Sequence, residues 1–355
     1  MPTLLERAQK HGNPVIENGE AVFVWQGKKP PLLLGDFNGW DHKQPLAMTE
    51  AEPGVWTGRL PLPPDAYIEY GFFTSAEPDG RLRDPLSRHR KRNGMGNYNH
   101  WFGMPKWKPA PETKRKRGVP VGTLSEHVLK EESGTLAGGQ RTAWLYQPPT
   151  GKPVPLLVVW DGRDYLKRGN LAVIVDNLIA QRRIQPIALI MPDNGGRWQA
   201  RLVEYHTSEA TVAGVEHRLL PYARAHLNLM DEKAHPGVHG VLGASMGGLM
   251  ALTTGFMLPH IFGHVISQAG MYASWTSHGR PLLFDALQGS QTPLPRIWLD
   301  CGTFDSLLGG NHQILELLRA KGADVIYREY HTGHNPTAWA NSVVEALEVM
   351  FPKES

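Results

Sequence analysis

The stretch Gly243–Gly248, GASMGG, lies between the apolar run Val238–Leu242 and a second apolar run that begins at Leu249. Four of its six residues are Gly or Ala. Small residues allow a sharp bend between a strand and a helix, and the N-terminus of that helix favours negative charge. The pattern Gly-x-Ser-x-Gly predicts a nucleophile elbow with Ser245 as the nucleophile. The alternative is a glycine-rich turn whose serine only caps the helix, and this short pattern alone does not decide between them.

The composition of the 355-residue chain is typical of a globular protein with room for two domains. Hydrophobic residues make up 41%, and no run approaches the ~20 apolar residues that a membrane span needs. The net charge of +3 is too small to indicate nucleic acid binding. The single cysteine, Cys301, excludes an internal disulfide, and the N-terminal stretch lacks the layout of a signal peptide. We therefore expect a cytoplasmic protein with neither a membrane nor a nucleic acid partner.

The sequence pattern changes near residue 105. Residues 1–104 contain short runs of β-branched and aromatic residues between Gly, Pro, Asn and Asp, which predicts a small all-β sandwich. The basic run Lys114–Arg117 lies among prolines and predicts a solvated linker over residues 105–120. Over residues 121–355, apolar runs alternate with helical patterns. This alternation predicts a mostly parallel sheet with helices on both faces.

Two further polar residues are predicted at the same edge of this sheet as Ser245. Catalytic groups gather at the carboxyl ends of parallel strands. Asp305 follows the apolar run RIWLDCG, and His334 follows the run DVIYREY. The chain order Ser, Asp, His is that of α/β-hydrolases, in which the imidazole accepts the serine proton and the carboxylate orients the imidazole. The three placements together favour the elbow over a capping serine.

Each partner of the serine has a rival. His331 ends its strand three residues before His334, and this spacing also suggests a metal site, but no cysteine or second His-x-x-His supports it. Asp300 lies within a strand, and Asp324 begins the next strand at the opposite edge. We therefore expect Asp305 as the acid and His334 as the base, with no metal and no cofactor.

The sequence also indicates where an oxyanion and a substrate would bind. The N–H of Met246 follows the nucleophile, and Gly162 or Arg163, in the loop after the run LLVVW, would supply the second donor. The stretch DNGGRWQARLVEY is expected to be a loop that lines the site. Arg201 within it has a salt bridge to Glu204 as its structural alternative. The candidate substrate-binding residues, chosen as aromatic or cationic side chains at the active edge, are Arg197, Trp198, Arg201, Trp275 and Trp339.

Residues 120–352 resemble the esterase family that includes enterochelin esterase, esterase D, the mycolyltransferases of antigen 85 and the feruloyl esterases. The resemblance rests on the stretches VVWDGRDY, GASMGGLMAL, SQAGMY, LDCGTFDSLLGGN and YREYHTGHN. It implies an α/β-hydrolase fold with Ser245, Asp305 and His334 as the triad. The first hundred residues, through LLLGDFNGWD and neighbouring stretches, resemble the early-set immunoglobulin-like domains of enterochelin esterases and branching enzymes.

These observations predict a serine carboxylic-ester hydrolase that works through an acyl-enzyme, resembles enterochelin esterases and prefers small-molecule esters of aromatic acids. Because water and an alcohol compete for an acyl-enzyme, acyl transfer stays open. One alternative is a feruloyl or acetyl-xylan esterase whose front domain binds glycan. An alternative of another class is a non-catalytic glycan- or protein-binding protein on a hydrolase fold, which the occupied triad positions disfavour.

Overall fold

The computed structural model describes residues 2–74, 80–94, 96–130, 140–195, 198–272 and 281–353. The chain divides into two compact units. The first unit comprises Met1–Lys108, Gly302–Ser306 and Glu329–Ala338, and the second comprises Pro109–Cys301, Leu307–Arg328 and Trp339–Ser355. The loops that carry Asp305 and His334 therefore belong to the first unit, whereas Ser245 belongs to the second. The domain boundaries proposed from the sequence stay predictions.

The first unit consists mainly of antiparallel strands. Its elements are α1 Leu4–His11, β1 Val15–Glu17, β2 Glu20–Gln26, β3 Leu32–Gly35, β4 Thr49–Glu52, β5 Val55–Pro61, β6 Tyr67–Phe73, β7 Arg81–Leu82, β8 Arg90–Arg92 and β9 Tyr98–Gly103. One sheet has the order β1-β2-β5-β4, and the other has the order β3-β6-β9-β8, with β7 paired to β6. Phe23, Tyr70 and Phe102 pack edge to face in the apolar core of this unit. The predicted all-β character is confirmed, and an immunoglobulin-like sandwich stays a prediction.

The second unit contains an eight-stranded mixed sheet. Its elements are β10 Thr123–Lys130, β11 Gln140–Gln147, β12 Leu156–Val159, α2 Gly162–Lys167, α3 Leu171–Ala180, β13 Ala188–Pro192, α4 Trp198–Tyr205, α5 Glu209–Gly214, α6 Leu220–His226, β14 His239–Ala244, α7 Met246–Met257, β15 Phe262–Gln268, α8 Leu283–Gly289, β16 Arg296–Gly302, α9 Leu308–Ala320, β17 Val325–Tyr330 and α10 Pro336–Met350. The C-terminal ends of β16 and β17 and the N-terminal end of α10 are assigned to the first unit. The strand order is β10-β11-β13-β12-β14-β15-β16-β17. None of the helices in the described ranges is long and apolar enough to cross a membrane.

The sheet is parallel from β13 to β16 and antiparallel at β10 and β11. Successive strand residues such as Leu157 and Val158 enter two different apolar clusters, because side chains alternate between the faces of a sheet. Helix α7 packs in the cluster of Val158, and helix α3 packs in that of Leu157. The predicted mostly parallel sheet with helices on both faces is therefore confirmed, and the antiparallel β10–β11 pair is an addition to it.

The segment around residue 198, expected to be a loop, is instead partly helical. Helix α4 begins at Trp198, two positions after Gly196 in the sequence, and its residues QARLVE are mainly good helix formers. Tyr205 is buried and Leu202 is partly buried against the same apolar cluster, so one face of α4 joins the core. Burial of this face outweighs the polar composition on which the loop prediction was based.

The basic run Lys114–Arg117 is largely exposed, but its backbone is held by α3. Nδ2 of Asn177 donates to the carbonyl oxygens of Glu112 (2.7 Å) and Lys114 (2.9 Å). Arg115 forms an ion pair with the buried carboxylate of Asp176. The segment is therefore packed against a helix, and it is not the freely solvated linker that its composition predicts.

Candidate active site

Ser245 stands between β14 and α7 in a strained backbone conformation. Its φ of 59° and ψ of −124° are values that residues with a Cβ rarely adopt. Its N–H donates to the carbonyl oxygen of Gln268 (2.9 Å), and its own carbonyl accepts from the N–H of Met271 (2.9 Å). Within the described part of the chain, its side chain makes no capping bond to α7. The geometry is that of an elbow, and the capping alternative is not observed.

Two glycines of the motif are required by close contacts. A Cβ on Gly243 would lie 2.1 Å from the carbonyl oxygen of Gly247. A Cβ on Gly247 would lie 2.9 Å from Oδ2 of Asp161 and 3.3 Å from Cβ of Trp160. Neither position has room for a methyl group, so the Gly-x-Ser-x-Gly pattern follows from the way β14 meets α7 and from the loop after β12.

His334 and Asp305 form a hydrogen-bonded pair in the first unit. Nδ1 of His334 lies 2.8 Å from Oδ2 of Asp305, and the carboxylate is fully buried. Because the carboxylate engages Nδ1, proton transfer by this imidazole falls to Nε2. The structure therefore brings together the two residues that the sequence predicts as acid and base.

The rivals of these two residues have other partners. Nδ1 of His331 lies 2.7 Å from Oδ1 of Asp65 in the first unit, so His331 pairs with a side chain and does not share the carboxylate of His334. Asp300 accepts a hydrogen bond from Nε1 of Trp298 (2.8 Å) inside β16. Burial raises the pKa of Asp300 to about 7. Asp324 directly precedes β17, at the opposite end of that strand from the histidines.

The predicted oxyanion donors lie at two helix N-termini in the second unit. Met246 is the first residue of α7, and Gly162 and Arg163 are the first two residues of α2. A Cβ on Gly162 would lie 2.3 Å from the carbonyl oxygen of Met191, so contact with β13 already requires this glycine. The side chain of Arg163 extends to Asp193, with Nε 2.8 Å from Oδ2. Only the backbone of Arg163 therefore stays a candidate for the oxyanion.

Asp161 and Arg201 form a bidentate ion pair beside the elbow that the sequence analysis missed. Nε and Nη2 of Arg201 lie 2.8 and 2.6 Å from Oδ1 and Oδ2 of Asp161. Although burial opposes it, the Asp161 carboxylate raises the pKa of Arg201. Glu204, the alternative partner that the sequence suggests for Arg201, bonds to Arg141. A polar residue two positions after the buried strand β12 was the available signal, since that position falls at the carboxyl end of the strand.

The other predicted substrate contacts are only partly described. Arg197, Trp275 and the side chain of Trp198 lie outside the described residues. Trp339 lies in α10, packs half-buried against an apolar cluster, and its carbonyl accepts from Nε2 of Gln268 (3.1 Å). The structure therefore leaves the aromatic cluster proposed from the sequence untested.

A cavity of about 210 Å³ lies in the second unit and has largely apolar and aromatic walls. Residues in its walls include Leu129, Trp160, Tyr205, Val215, Leu219 and Tyr222. Two of these belong to the π-helical turn Val215–Leu219, a distortion often found at functional sites. The buried Nε1–H of Trp160 has no partner among the described residues. Since Trp160 also adjoins Gly247, one side chain links the elbow to the cavity.

A mixed sheet covered by helices, with a strained serine at a strand–helix turn, defines an α/β-hydrolase. The sequence profile of the family described as "Putative esterase" matches residues 133–350, and the chain belongs to this esterase family. This membership confirms the predicted family.

The chain is similar to curated siderophore esterases. It is 26% identical to the iron(III) enterobactin esterase of Dickeya dadantii over 75% of this chain and 64% of the relative. It is 24% identical to the iron(III) salmochelin esterase of Escherichia coli O6:H1 over 93% of this chain and 87% of the relative. The chain spans 64% to 66% of the length of the enterobactin esterases that it matches.

Solved structures share the fold. The ferric enterobactin esterase of Salmonella typhimurium matches with a TM-score of 0.77 and 21% identity over 94% of both chains. The ferulic acid esterase of Anaeromyces mucronatus in complex with ferulic acid matches with a TM-score of 0.57 and 18% identity, over 69% of this chain and 96% of that one. The first match extends over nearly the whole chain, whereas the second covers about two thirds of it.

Proposed function

We propose that the protein is a serine carboxylic-ester hydrolase. Ser245 attacks the ester carbonyl, Nε2 of His334 accepts the hydroxyl proton, and Asp305 holds the imidazole and stabilises its positive charge. The alcohol leaves with that proton, and water then releases the acid from the acyl-enzyme by the same route. The observation that carries the proposal is the strained backbone of Ser245 at the elbow. The bond between His334 and Asp305 supports it.

The oxyanion of each tetrahedral intermediate is proposed to bind at backbone donors. One donor is the N–H of Met246, and the other is the N–H of Gly162 or Arg163. Their positions at the first turns of α7 and α2 support this assignment, because N–H groups there point away from the helix and its dipole favours negative charge. The ion pair of Arg201 with Asp161 fixes the residue that precedes Gly162, so Arg201 contributes by holding this loop.

The substrate class is proposed to be esters whose acyl part carries an aromatic ring, as in an enterochelin esterase-like enzyme. The names of the relatives and the aromatic walls of the cavity beside Trp160 support it. A ring in such walls gains about 0.5–1.5 kcal/mol beyond the burial of its area. Arg197, Trp198, Trp275 and Trp339 stay proposed substrate contacts.

Two serine variants test the reaction. Ser245→Ala should lower kcat/KM for a p-nitrophenyl ester by about 10⁴-fold or more, because binding and the oxyanion donors alone remain. Ser208→Ala is the matched control, since Ser208 does cap a helix by accepting from the N–H of Thr211. It should cost about 1 kcal/mol of unfolding free energy and leave kcat/KM unchanged. Wild-type hydrolysis by a purified Ser245→Ala protein would refute the proposal.

A further inference from the structure

Residues of the first hundred hold both ends of the loop that carries His334, and all of these contacts lie within the first unit. At one end, the N–H of Tyr67 donates to the carbonyl oxygen of His331 (2.9 Å). At the other end, Oγ1 of Thr337 accepts from Nζ of Lys91 (2.6 Å) and from the hydroxyl of Tyr67 (3.3 Å). The loop is therefore tied to β6 and β8.

Asp36 contacts the middle of this loop. A Cβ on Gly333 would lie 2.2 Å from Cγ of Asp36, which shows how closely the loop backbone approaches the carboxyl group. Nδ2 of Asn335 lies 3.4 Å from Oδ2 of Asp36. Oδ1 of Asn335 accepts from the N–H of Ala338, in the first turn of α10. Asp36 thus touches the residue on each side of His334.

Asp36 is itself rigidly held. Its Oδ2 accepts from the N–H of Glu69 (2.8 Å), and its Oδ1 accepts from Nε1 of Trp40 (3.1 Å). The side chain is buried, and burial together with the neighbouring Glu69 carboxylate raises the pKa of Asp36 well above its ordinary value. Rotation of Asp36 would leave the buried N–H of Glu69 and the partly buried Nε1–H of Trp40 without this acceptor, which is unfavourable. It is therefore a fixed support for the loop.

We propose that Asp36 is a positioning residue for the catalytic base. It fixes Gly333 and Asn335, and thereby keeps Nδ1 of His334 on Asp305. The inference rests on the proposed function in that His334 is taken as the base. Asp36 is argued to act only through His334, so its loss should affect the rate of the chemical steps more than the binding of substrate.

Asp36→Ala tests this, with Asp84→Ala as the matched control. Asp84 is also buried in the first unit, where it accepts from Nδ2 of Asn13 and from the hydroxyl of Tyr70, both at 2.7 Å. A base displaced by about 1 Å costs about 100-fold in rate. Asp36→Ala should therefore lower kcat about 100-fold with KM nearly unchanged. Asp84→Ala should lower the unfolding temperature and leave kcat as in the wild type.

A nuclear magnetic resonance measurement makes the test independent of turnover. In protein labelled with ¹⁵N-histidine, the Nδ1–H proton of His334, assigned by its absence in His334→Gln, reports the bond to Asp305 even if no ester is hydrolysed. This resonance should weaken or exchange faster with water in Asp36→Ala and persist in Asp84→Ala. A folded Asp36→Ala protein with wild-type kcat and an unchanged resonance would overturn the proposal.

If Asp36→Ala does not fold, Asp36→Asn serves the same test, because it keeps the volume against Gly333 and one acceptor oxygen. Because both oxygens of Asp36 accept hydrogen bonds, the amide of Asp36→Asn loses one of these acceptors and should shift the loop slightly. Its kcat should fall about 10-fold, since a small displacement of His334 already has a large effect on rate. A wild-type kcat together with an unchanged resonance in this variant would equally overturn the proposal. If the wild type hydrolyses no ester, the resonance alone decides, and its loss in either variant supports the positioning role.

Discussion

Ser245 keeps its unusual backbone because the end of β15 and the residues that follow it form hydrogen bonds with both of its backbone polar groups. A strained residue of this kind costs on the order of 1–3 kcal/mol, and each hydrogen bond returns about 1 kcal/mol. The two bonds, to Gln268 and from Met271, therefore offset much of the strain. The glycines at 243 and 247 contribute by absence of side chains, because any Cβ there would collide with backbone or with Asp161. Strain at this residue is thus sustained by its surroundings.

The two histidines of the loop should respond differently to removal. His334→Ala deletes the group bonded to Asp305, so kcat/KM should fall about 10⁴-fold. His331→Ala breaks a pair with Asp65 whose two side chains are 41% and 54% exposed, and such exposed pairs contribute less than about 1 kcal/mol. Its kcat/KM should stay within a few-fold of the wild type. Steady-state kinetics on one p-nitrophenyl ester distinguishes the two variants. A larger loss of kcat/KM in His331→Ala than in His334→Ala would show that His334 is not the base.

Asp300 should make the stability of the protein depend on pH. Its pKa is raised to about 7 by burial, against an ordinary 3.8. Between these values the unfolded chain releases the proton and the folded chain keeps it, so the free energy of unfolding falls as pH rises. Asp300→Asn lacks this loss, so its stability relative to the wild type should increase from pH 5 to pH 8, by about 3 kcal/mol at most. Urea unfolding of both proteins at pH 5 and pH 8 measures this difference in the free energy of unfolding. A difference that stays constant or decreases with pH would contradict the prediction.

Among the elements, those with buried parallel strands were predictable. Runs such as RIWLDCG are mainly apolar because both faces of the strand are covered, and β16 has the predicted bounds. Strand β10 lies at the edge of its sheet and is largely exposed, so its polar sequence carries no such signal. Helix α4 was missed because glycines precede it and the charged residues Arg201 and Glu204 give its segment a polar composition, although both charges are largely buried in ion pairs and Tyr205 anchors the helix in the core.

The π-helical turn at Val215–Leu219 gives a test of the cavity. Leu219→Phe adds volume to a wall of the cavity, so an acyl group that enters it should be excluded while a small one is unaffected. For esters of one alcohol, the wild type should prefer a hydroxycinnamoyl or catecholate acyl group over butyrate. The variant should lose about 10-fold or more of kcat/KM for the aromatic ester only. Equal losses on an aromatic and an acetate ester would show that the cavity does not select the acyl group.

At the scale of the whole molecule, the sequence carries a signal for the proposed site residues but none for the contacts that support them. Ser245, Asp305 and His334 each follow a run with the pattern of a strand, and this local signal is the basis on which they are proposed. The contact of Asp36 with Asn335 joins residues 299 positions apart, and no local pattern marks either partner. The same holds for Tyr67 and Thr337, which are 270 positions apart. Such contacts depend on the folded arrangement, which neither propensity nor periodicity encodes.

The proposed reaction requires that the acyl group of the ester be carried by Ser245. The most direct measurement is mass spectrometry of protein quenched with acid during turnover of a p-nitrophenyl ester. We predict one acyl group on the peptide that contains Ser245, no such adduct in Ser245→Ala, and an adduct that forms far more slowly in His334→Ala. Rapid hydrolysis with the acyl group on another residue, while Ser245→Ala still turns over the ester, would contradict it.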